Sequence, residues 1–255
     1  MEAASFAVII TDTVGSLALT AISCPAVPDD LTLLSDPRLI VQSWAAGLCL
    51  VAGAVCIARI VGPGFVWLAG GAASLLGLIA ALAEGAWWAR AGLALILAGM
   101  ALASRPRWAA PLLSLGGLAL AGQAAAGGSW LPAITGVLAM GGVTGEMLLG
   151  HWYLVDPRLP RAALRALALI GIGGLATEGL VLARAGLPDG GATVAFWVLL
   201  STSILLMLAV IGALRYPAYS GVMAATGLSY LAVLTTLGAV FLGRALVAGL
   251  GPFAT

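Results

Sequence analysis

The 255-residue chain has little charge and draws it from few residue types. Charged residues make up 8% of the sequence, all eleven basic residues are arginine, and lysine is absent. The lack of lysine excludes a retinal Schiff base and the lysine of a phosphate-binding nucleotide loop. Since ten acidic residues reduce the net charge to +1, no basic tract is available to bind nucleic acid.

Histidine and cysteine are also scarce, which limits metal chemistry. The single histidine, His151, cannot form a bis-histidine haem site, and Cys24, Cys49 and Cys56 have no CxxC or metal-ligand spacing. No aspartate-rich loop could hold Mg²⁺ against a pyrophosphate substrate. We therefore expect no covalent or metal cofactor and no catalysis by the chain alone. At most it would be a non-catalytic or quinone-binding subunit of an oxidoreductase complex.

Apolar residues, by contrast, are abundant: they make up 62% of the chain, and the mean hydropathy is +1.13. A helix of about 20 apolar residues spans a bilayer, and lipid tolerates no unpaired backbone, so this composition predicts an all-α polytopic transmembrane bundle. We expect a single transmembrane domain over 1–255 with no extramembrane domain. The breaks at Pro, Gly and charged residues predict about nine spans, at 4–24, 39–61, 65–83, 86–104, 108–126, 132–154, 162–184, 193–214 and 218–243.

The first predicted span is the weakest, because Thr11, Asp12 and Thr13 interrupt its apolar run. If it does not cross the bilayer, eight spans remain. The segment 2–24 lacks a cationic start and a small-residue cleavage site, which favours a retained helix over a cleaved signal peptide.

The arginines predict the orientation of the bundle. Nine spans would place seven arginines at one end, at positions 59, 105, 107, 158, 161, 165 and 215, and four at the other, at 38, 90, 184 and 244. The end richer in arginine is expected on the cytoplasmic side of a bacterial inner membrane. The N-terminus would then be cytoplasmic and the C-terminus outside.

The tetrapeptide DPRL occurs twice, at 36–39 and at 156–159. A duplicated sequence would suggest a transporter built from repeats, but the flanking residues show no sustained match. Asp as a helix cap followed by Pro in the first turn explains both copies better.

The segment GEMLLGHWYLVDPRLPR contains the candidate site. Glu146 lies about 12 Å inside the sixth predicted span, too deep to reach water easily. It shares a helix face with Tyr153, whereas His151 lies on a neighbouring face. A helix closing over Gly141, Gly142 and Gly145 could still enclose both in one pocket.

Glu178 is a second intramembrane carboxyl group, inside the seventh predicted span. The candidates for a quinone or proton site are Glu146, His151, Tyr153 and Glu178, with Asp12 a weaker one. Intramembrane carboxyl groups indicate function by default, although a structural bond to a neighbouring Ser, Thr or Arg explains many of them.

Three classes of function are compatible with this sequence. The first is a membrane subunit of a larger bacterial respiratory or other bioenergetic complex, which binds a quinone headgroup or carries protons for electron transport near the cytoplasmic side. Its expected partners are the lipid bilayer and other membrane or peripheral subunits. The second is a proton-coupled transporter of a small solute, and the third is a purely structural membrane scaffold.

Overall fold

A computed structural model describes residues 37–84, 87–126, 130–156 and 159–248. This part of the chain forms eight helices and no strand. In chain order they are α1 (Pro37–Ile57), α2 (Pro63–Glu84), α3 (Trp87–Ala101), α4 (Pro106–Ala126), α5 (Trp130–Val155), α6 (Arg161–Ala185), α7 (Gly191–Ala213) and α8 (Tyr219–Val247). The predicted span at 4–24 lies outside the described residues.

Seven of these helices are long and apolar enough to cross a membrane, and α3, with 15 residues, is shorter. The prediction of an all-α transmembrane bundle is therefore confirmed for the described part of the chain. Each of the eight helices matches one predicted span, because Pro, Gly and charged residues end the apolar runs where the backbone must turn.

Two helix ends, those of α1 and α8, differ from the predicted spans by more than any other. α1 stops at Ile57, since Arg59 takes a left-handed φ of 50° and turns the chain out of the helix. α8 continues to Val247, so that Arg244 lies inside the helix instead of after it.

The expected Asp156–Pro157 helix start is wrong. α6 begins only at Arg161, and its N-cap is Pro160, which provides no side-chain cap hydrogen bond. The second proline of the DPRLP segment, Pro160, delays the helix, because the residue before a proline is disfavoured in helical geometry. Asp36, in the first copy of DPRL, lies outside the described residues.

The helices pack as two four-helix groups. In the first group α1 packs on α2 and α4, and α3 completes the ring; in the second α5 packs on α6 and α8, and α7 completes it. α1 and α5 join the two groups along their length. The first helix of each group is therefore the one that makes the central contact.

Cross-helix contacts place the arginine-rich ends together. Trp152 near the end of α5 contacts Gly64 at the start of α2, and Leu154 O accepts a hydrogen bond from Tyr219 at the start of α8. Cys56 Sγ near the end of α1 lies 3.8 Å from Pro106 O at the start of α4. The start or end of α1, α2, α4, α5 and α8 thus meets at one side of the bundle, called here the arginine-rich end.

Candidate functional site

Glycines on two faces of α5 hold this helix between its neighbours. On one face, a Cβ added to Gly141 would lie 2.6 Å from Gly47 Cα of α1. On another, a Cβ on Gly142 would lie 2.4 Å from Gly171 N of α6. Helices do close over the small-residue face, as the glycine pattern suggested, but they press backbone on backbone. These glycines therefore do not line a pocket.

Glu178 of α6 forms a buried ion pair with Arg244 of α8. Arg244 Nε lies 2.6 Å from Glu178 Oε1 and Nη2 lies 3.1 Å from Oε2, which is a two-pronged contact. Arg244 Nη2 also donates to Pro132 O of α5 at 2.6 Å, and the Thr135 hydroxyl donates to Glu178 Oε2. The two side chains are 1–2% exposed, so three helices enclose a neutralised pair.

Glu146 of α5 has a different environment, although it is equally buried. The Ser229 hydroxyl of α8 contacts its Oε2, and Oε1 has no hydrogen-bond partner. No cation among the described residues pairs with this carboxyl group. Glu146 is therefore held by a single hydroxyl group inside the bundle.

His151 lies on the outer surface of the bundle, near the end of α5. Its Nδ1 is 3.2 Å from the hydroxyl oxygen of Tyr230 on α8, and both residues are exposed. His151 is four residues from the end of α5, about 6 Å along the helix axis. This pair therefore lies just inside the arginine-rich end, at a surface that lipid would cover.

Tyr153 takes part in a fourth contact, separate from the other three. It is 5% exposed, and its hydroxyl oxygen accepts a hydrogen bond from Arg161 Nε at 3.4 Å. Arg161 also donates to the carbonyl oxygens of Tyr216, Pro217 and Ala218, in the connection between α7 and α8. Arg161 therefore fastens the start of α6 to that connection.

The four candidate residues do not meet in one pocket, because each of them contacts a different partner. Glu146 and Tyr153 share a buried face of α5, as the helical period predicts, and His151 points to the outside. Glu178 lies about 16 Å further along the bundle, since its partner Thr135 is eleven residues before Glu146 on α5. Glu146, Tyr153 and His151 nevertheless belong to the same half of α5.

Sequence reasoning missed two of the polar partners, Ser229 and Arg244. Both lie on one face of α8 that also carries Thr226 and Thr236, at spacings of three, seven and eight residues. This polar stripe within an apolar helix was the available signal. The predicted span at 218–243 ends one residue before Arg244, which makes this arginine a terminal charge in the sequence prediction, whereas it lies inside α8.

Comparison with known proteins identifies no relative of this chain. No family model, no curated protein and no solved structure matches this chain significantly.

Proposed function

We propose that this protein is an integral-membrane subunit of a larger bacterial bioenergetic complex, and that the arginine-rich end of α5 and α8 binds a quinone headgroup. The observation that carries the proposal is the His151–Tyr230 pair, which lies 3.2 Å apart on the outer surface. Polar groups that face lipid are costly and are retained for a use. A lipid-soluble molecule with a carbonyl oxygen is the ligand that reaches them without crossing water.

The residues have the chemistry that a quinone carbonyl requires. The Tyr230 hydroxyl donates a hydrogen bond, and the His151 imidazole donates or accepts according to its tautomer. Reduction of a quinone to a quinol takes up two electrons and two protons. The proposal assigns the electrons to a partner subunit and proton delivery to this chain, with Glu146 as the buried carboxyl group nearest in the chain.

The distribution of arginine supports a cytoplasmic position for this end of the bundle. Arg244 belongs to the opposite end by sequence, but it is buried and neutralised by Glu178. The remaining arginines of that end are three, Arg38, Arg90 and Arg184, against seven at the arginine-rich end. This widens the asymmetry that the positive-inside rule uses.

A second candidate function is proton-coupled transport of a small solute. The two four-helix groups favour it, because the helices of each group have the same order of neighbours and meet at their first helices, α1 and α5. Transporters are often built from two related halves with the substrate site between them. In this protein, however, the interface between α1 and α5 is filled by the backbone contact of Gly47 with Gly141.

The first experiment is purification from native membranes in mild detergent, with mass spectrometry of copurifying proteins and extracted quinones. The proposal expects redox subunits and bound quinone. Recovery of the chain alone, without quinone, would contradict it. In that case proton-driven uptake by proteoliposomes containing only this protein tests the transporter function.

Point variants then test the site itself. His151→Ala and Tyr230→Phe should lower quinone-dependent activity of the complex at least tenfold without disassembling it. Tyr216→Phe is the matched control, because Tyr216 is also exposed at this end but lies outside the pair. Full activity of both site variants would overturn the quinone site and favour the scaffold.

A further inference from the structure

We infer that Glu146 is a proton-binding site whose carboxyl group is neutral at rest, exchanges its proton with the arginine-rich end, and is closed off from the opposite end. This deepens the proposed function by assigning the proton donor of the same end of the bundle. The contacts of Glu146 that support this inference do not depend on a quinone or on a partner subunit.

The hydrogen bonds around Ser229 indicate where the proton lies. Ser229 Oγ is 2.8 Å from Ala225 O, one turn earlier on α8, and it also contacts Glu146 Oε2. A hydroxyl group has one proton to donate. Because serine hydroxyls in membrane helices bond to the carbonyl one turn back, this proton goes to Ala225 O. The contact with Oε2 is then satisfied when a protonated Glu146 donates to Ser229 Oγ.

Glu146 forms no ion pair with a basic group among the described residues. Arg161 and Arg165, the basic residues in the first turns of α6, donate instead to carbonyl oxygens of the connection before α8. An isolated carboxylate in an apolar interior is costly, whereas a neutral carboxyl group with one free oxygen costs much less. The ionisable side chains on α5 and on the helices packed against it are His151 and Tyr153 on α5, Arg161, Arg165, Arg184 and Glu178 on α6, Tyr219, Tyr230 and Arg244 on α8, Arg38, Cys49 and Cys56 on α1, Arg107 on α4 and Glu84 at the far end of α2.

The side of Glu146 that faces the arginine-rich end is lined by polar groups at Gly150. A Cβ added to Gly150 would lie 3.8 Å from Glu146 Oε1 and 3.0 Å from Thr226 Oγ1. The missing side chain therefore leaves the unpartnered Oε1 beside a hydroxyl group. Tyr153, with its bond to Arg161, follows one turn later on the same face of α5. These polar groups lead from Glu146 to the arginine-rich end.

The opposite side of Glu146 is packed too closely for water. Towards Glu178, a Cβ on Gly142 would lie 2.4 Å from Gly171 N, and a Cβ on Gly174 would lie 2.2 Å from Ala139 N. A water molecule needs a cavity of roughly 10–15 Å³ and several polar partners. The contact of α5 with α6 offers no such space at these positions.

The row of polar side chains along the contact of α5 with α8 is also interrupted on this side. Thr236 is the one hydroxyl group on the buried face of α8 between Ser229 and Arg244. It is about 10 Å along the axis from Ser229 and about 12 Å from Arg244, too far for a direct hydrogen-bonded chain. The proton on Glu146 consequently has one exit.

A lipid-soluble carbodiimide tests the protonation of Glu146. A protonated carboxyl group adds across one C=N bond of dicyclohexylcarbodiimide: its oxygen bonds to carbon, its proton passes to nitrogen, and the adduct rearranges to a stable N-acylurea. Mass spectrometry of the labelled full-length protein in membranes should find the adduct on Glu146. Glu178 is the internal control and should stay unlabelled, because it is ionised and held by Arg244. Labelling of Glu178 in preference to Glu146, or of neither, would overturn the inference.

Membrane vesicles of opposite orientation test the one-sided access. With the interior buffered, raising the external pH should reduce labelling of Glu146 at least several-fold only in vesicles that expose the arginine-rich end. An equal reduction in both vesicle types, or in the other type alone, would refute the closed side.

A glycine pair provides the matched control for the exit. Gly150→Ala narrows the space beside Oε1 and should slow the response of labelling to external pH several-fold. Gly173→Ala, on a helix face with open space around it, should leave the response unchanged. Equal behaviour of the two variants would contradict the exit at Gly150. These measurements succeed or fail regardless of whether quinone or partner subunits copurify, so they are distinct from the test of the proposed function.

Discussion

At the scale of single residues, two glutamates of one bundle have opposite environments. Glu178 is bound by the Arg244 guanidinium and by the Thr135 hydroxyl group, whereas Glu146 contacts only the Ser229 hydroxyl group among the described residues. Burial alone does not distinguish them, since both are buried. The difference lies in the partners, and it predicts different consequences for the removal of each partner.

Removing one member of the Glu178–Arg244 pair should be strongly destabilising. Arg244→Met leaves a buried carboxylate without its cation, and we expect the free energy of unfolding to fall by about 3–5 kcal/mol. The double variant Glu178→Met with Arg244→Met should lose less than either single variant, because no charge remains unpaired. Unfolding in mixed micelles measures all three. Arg184→Met, an exposed arginine at the end of α6, is the control, and additive losses in the double variant would argue against a coupled pair.

Ser229→Ala removes the one hydrogen-bond partner that Glu146 has among the described residues. The buried carboxyl group then has no partner at either oxygen, which should cost about 1–3 kcal/mol of the free energy of unfolding. Ser201→Ala is the matched control on α7, since Ser201 is exposed and bonds only to Val198 O of its own helix. A loss of similar size in both variants would show that the contact with Glu146 contributes nothing.

At the scale of secondary-structure elements, α5 is the helix on which the architecture depends. It contacts α1 and α6 through glycines and α8 through polar side chains, so it connects the two four-helix groups. Close backbone approach increases van der Waals contact between helices. This contact drives helix association in a bilayer, because apolar side chains gain no hydrophobic free energy by leaving lipid. The same close packing sets where the Glu146 and His151 side chains lie along the bundle and in which direction they point.

Enlarging Gly47 should separate α1 from α5. The new Cβ of Gly47→Ala would lie 2.5 Å from Val137 O and 2.7 Å from Gly141 Cα, and backbone atoms cannot yield without moving a helix. We expect a loss of about 1–3 kcal/mol in the free energy of unfolding, as for other overpacked sites. Gly227→Ala on α8 meets open space and should cause no loss. Equal stability of the two variants would show that the crossing is looser than the structure gives.

At the scale of the whole molecule, charge is concentrated at one end and most of the buried polar side chains lie in one half. Four residues with buried polar side chains on α8, together with Thr135, Glu146 and Glu178, lie in the group formed by α5 to α8. The first group contributes mainly apolar packing around α1. The candidate functional residues therefore lie on α5 to α8, and the group formed by α1 to α4 packs against α5.

The orientation of the bundle can be measured directly. In a chain with Cys24, Cys49 and Cys56 replaced by alanine, Asp189→Cys should react with an impermeant maleimide added outside intact cells, because it lies at the end opposite the arginine-rich end. Arg105→Cys should react only after the membrane is permeabilised. Both positions are exposed, so burial does not limit the reaction. The reverse pattern would place the arginine-rich end outside and contradict the positive-inside prediction.

The sequence by itself determined the fold class and the approximate position of each helix in the described chain. Lipid forces every apolar run of sufficient length into a helix, and Pro, Gly and charge mark where each run ends. It also determined that Glu146 and Glu178 lie inside long apolar helices and that Glu146 shares a face with Tyr153, since helical period and position along a helix are local properties.

Only the tertiary structure decided which side chain meets which. Ser229 lies 83 residues after Glu146 and Arg244 lies 66 after Glu178, and helical period carries no information across such separations. Tertiary packing put Glu178 in an ion pair, left Glu146 with a single hydroxyl group, and turned His151 outward to Tyr230. The physical reason is that glycine contacts at the crossings of α5 with α1 and α6 set how the helices are rotated against each other, and this rotation selects the partners.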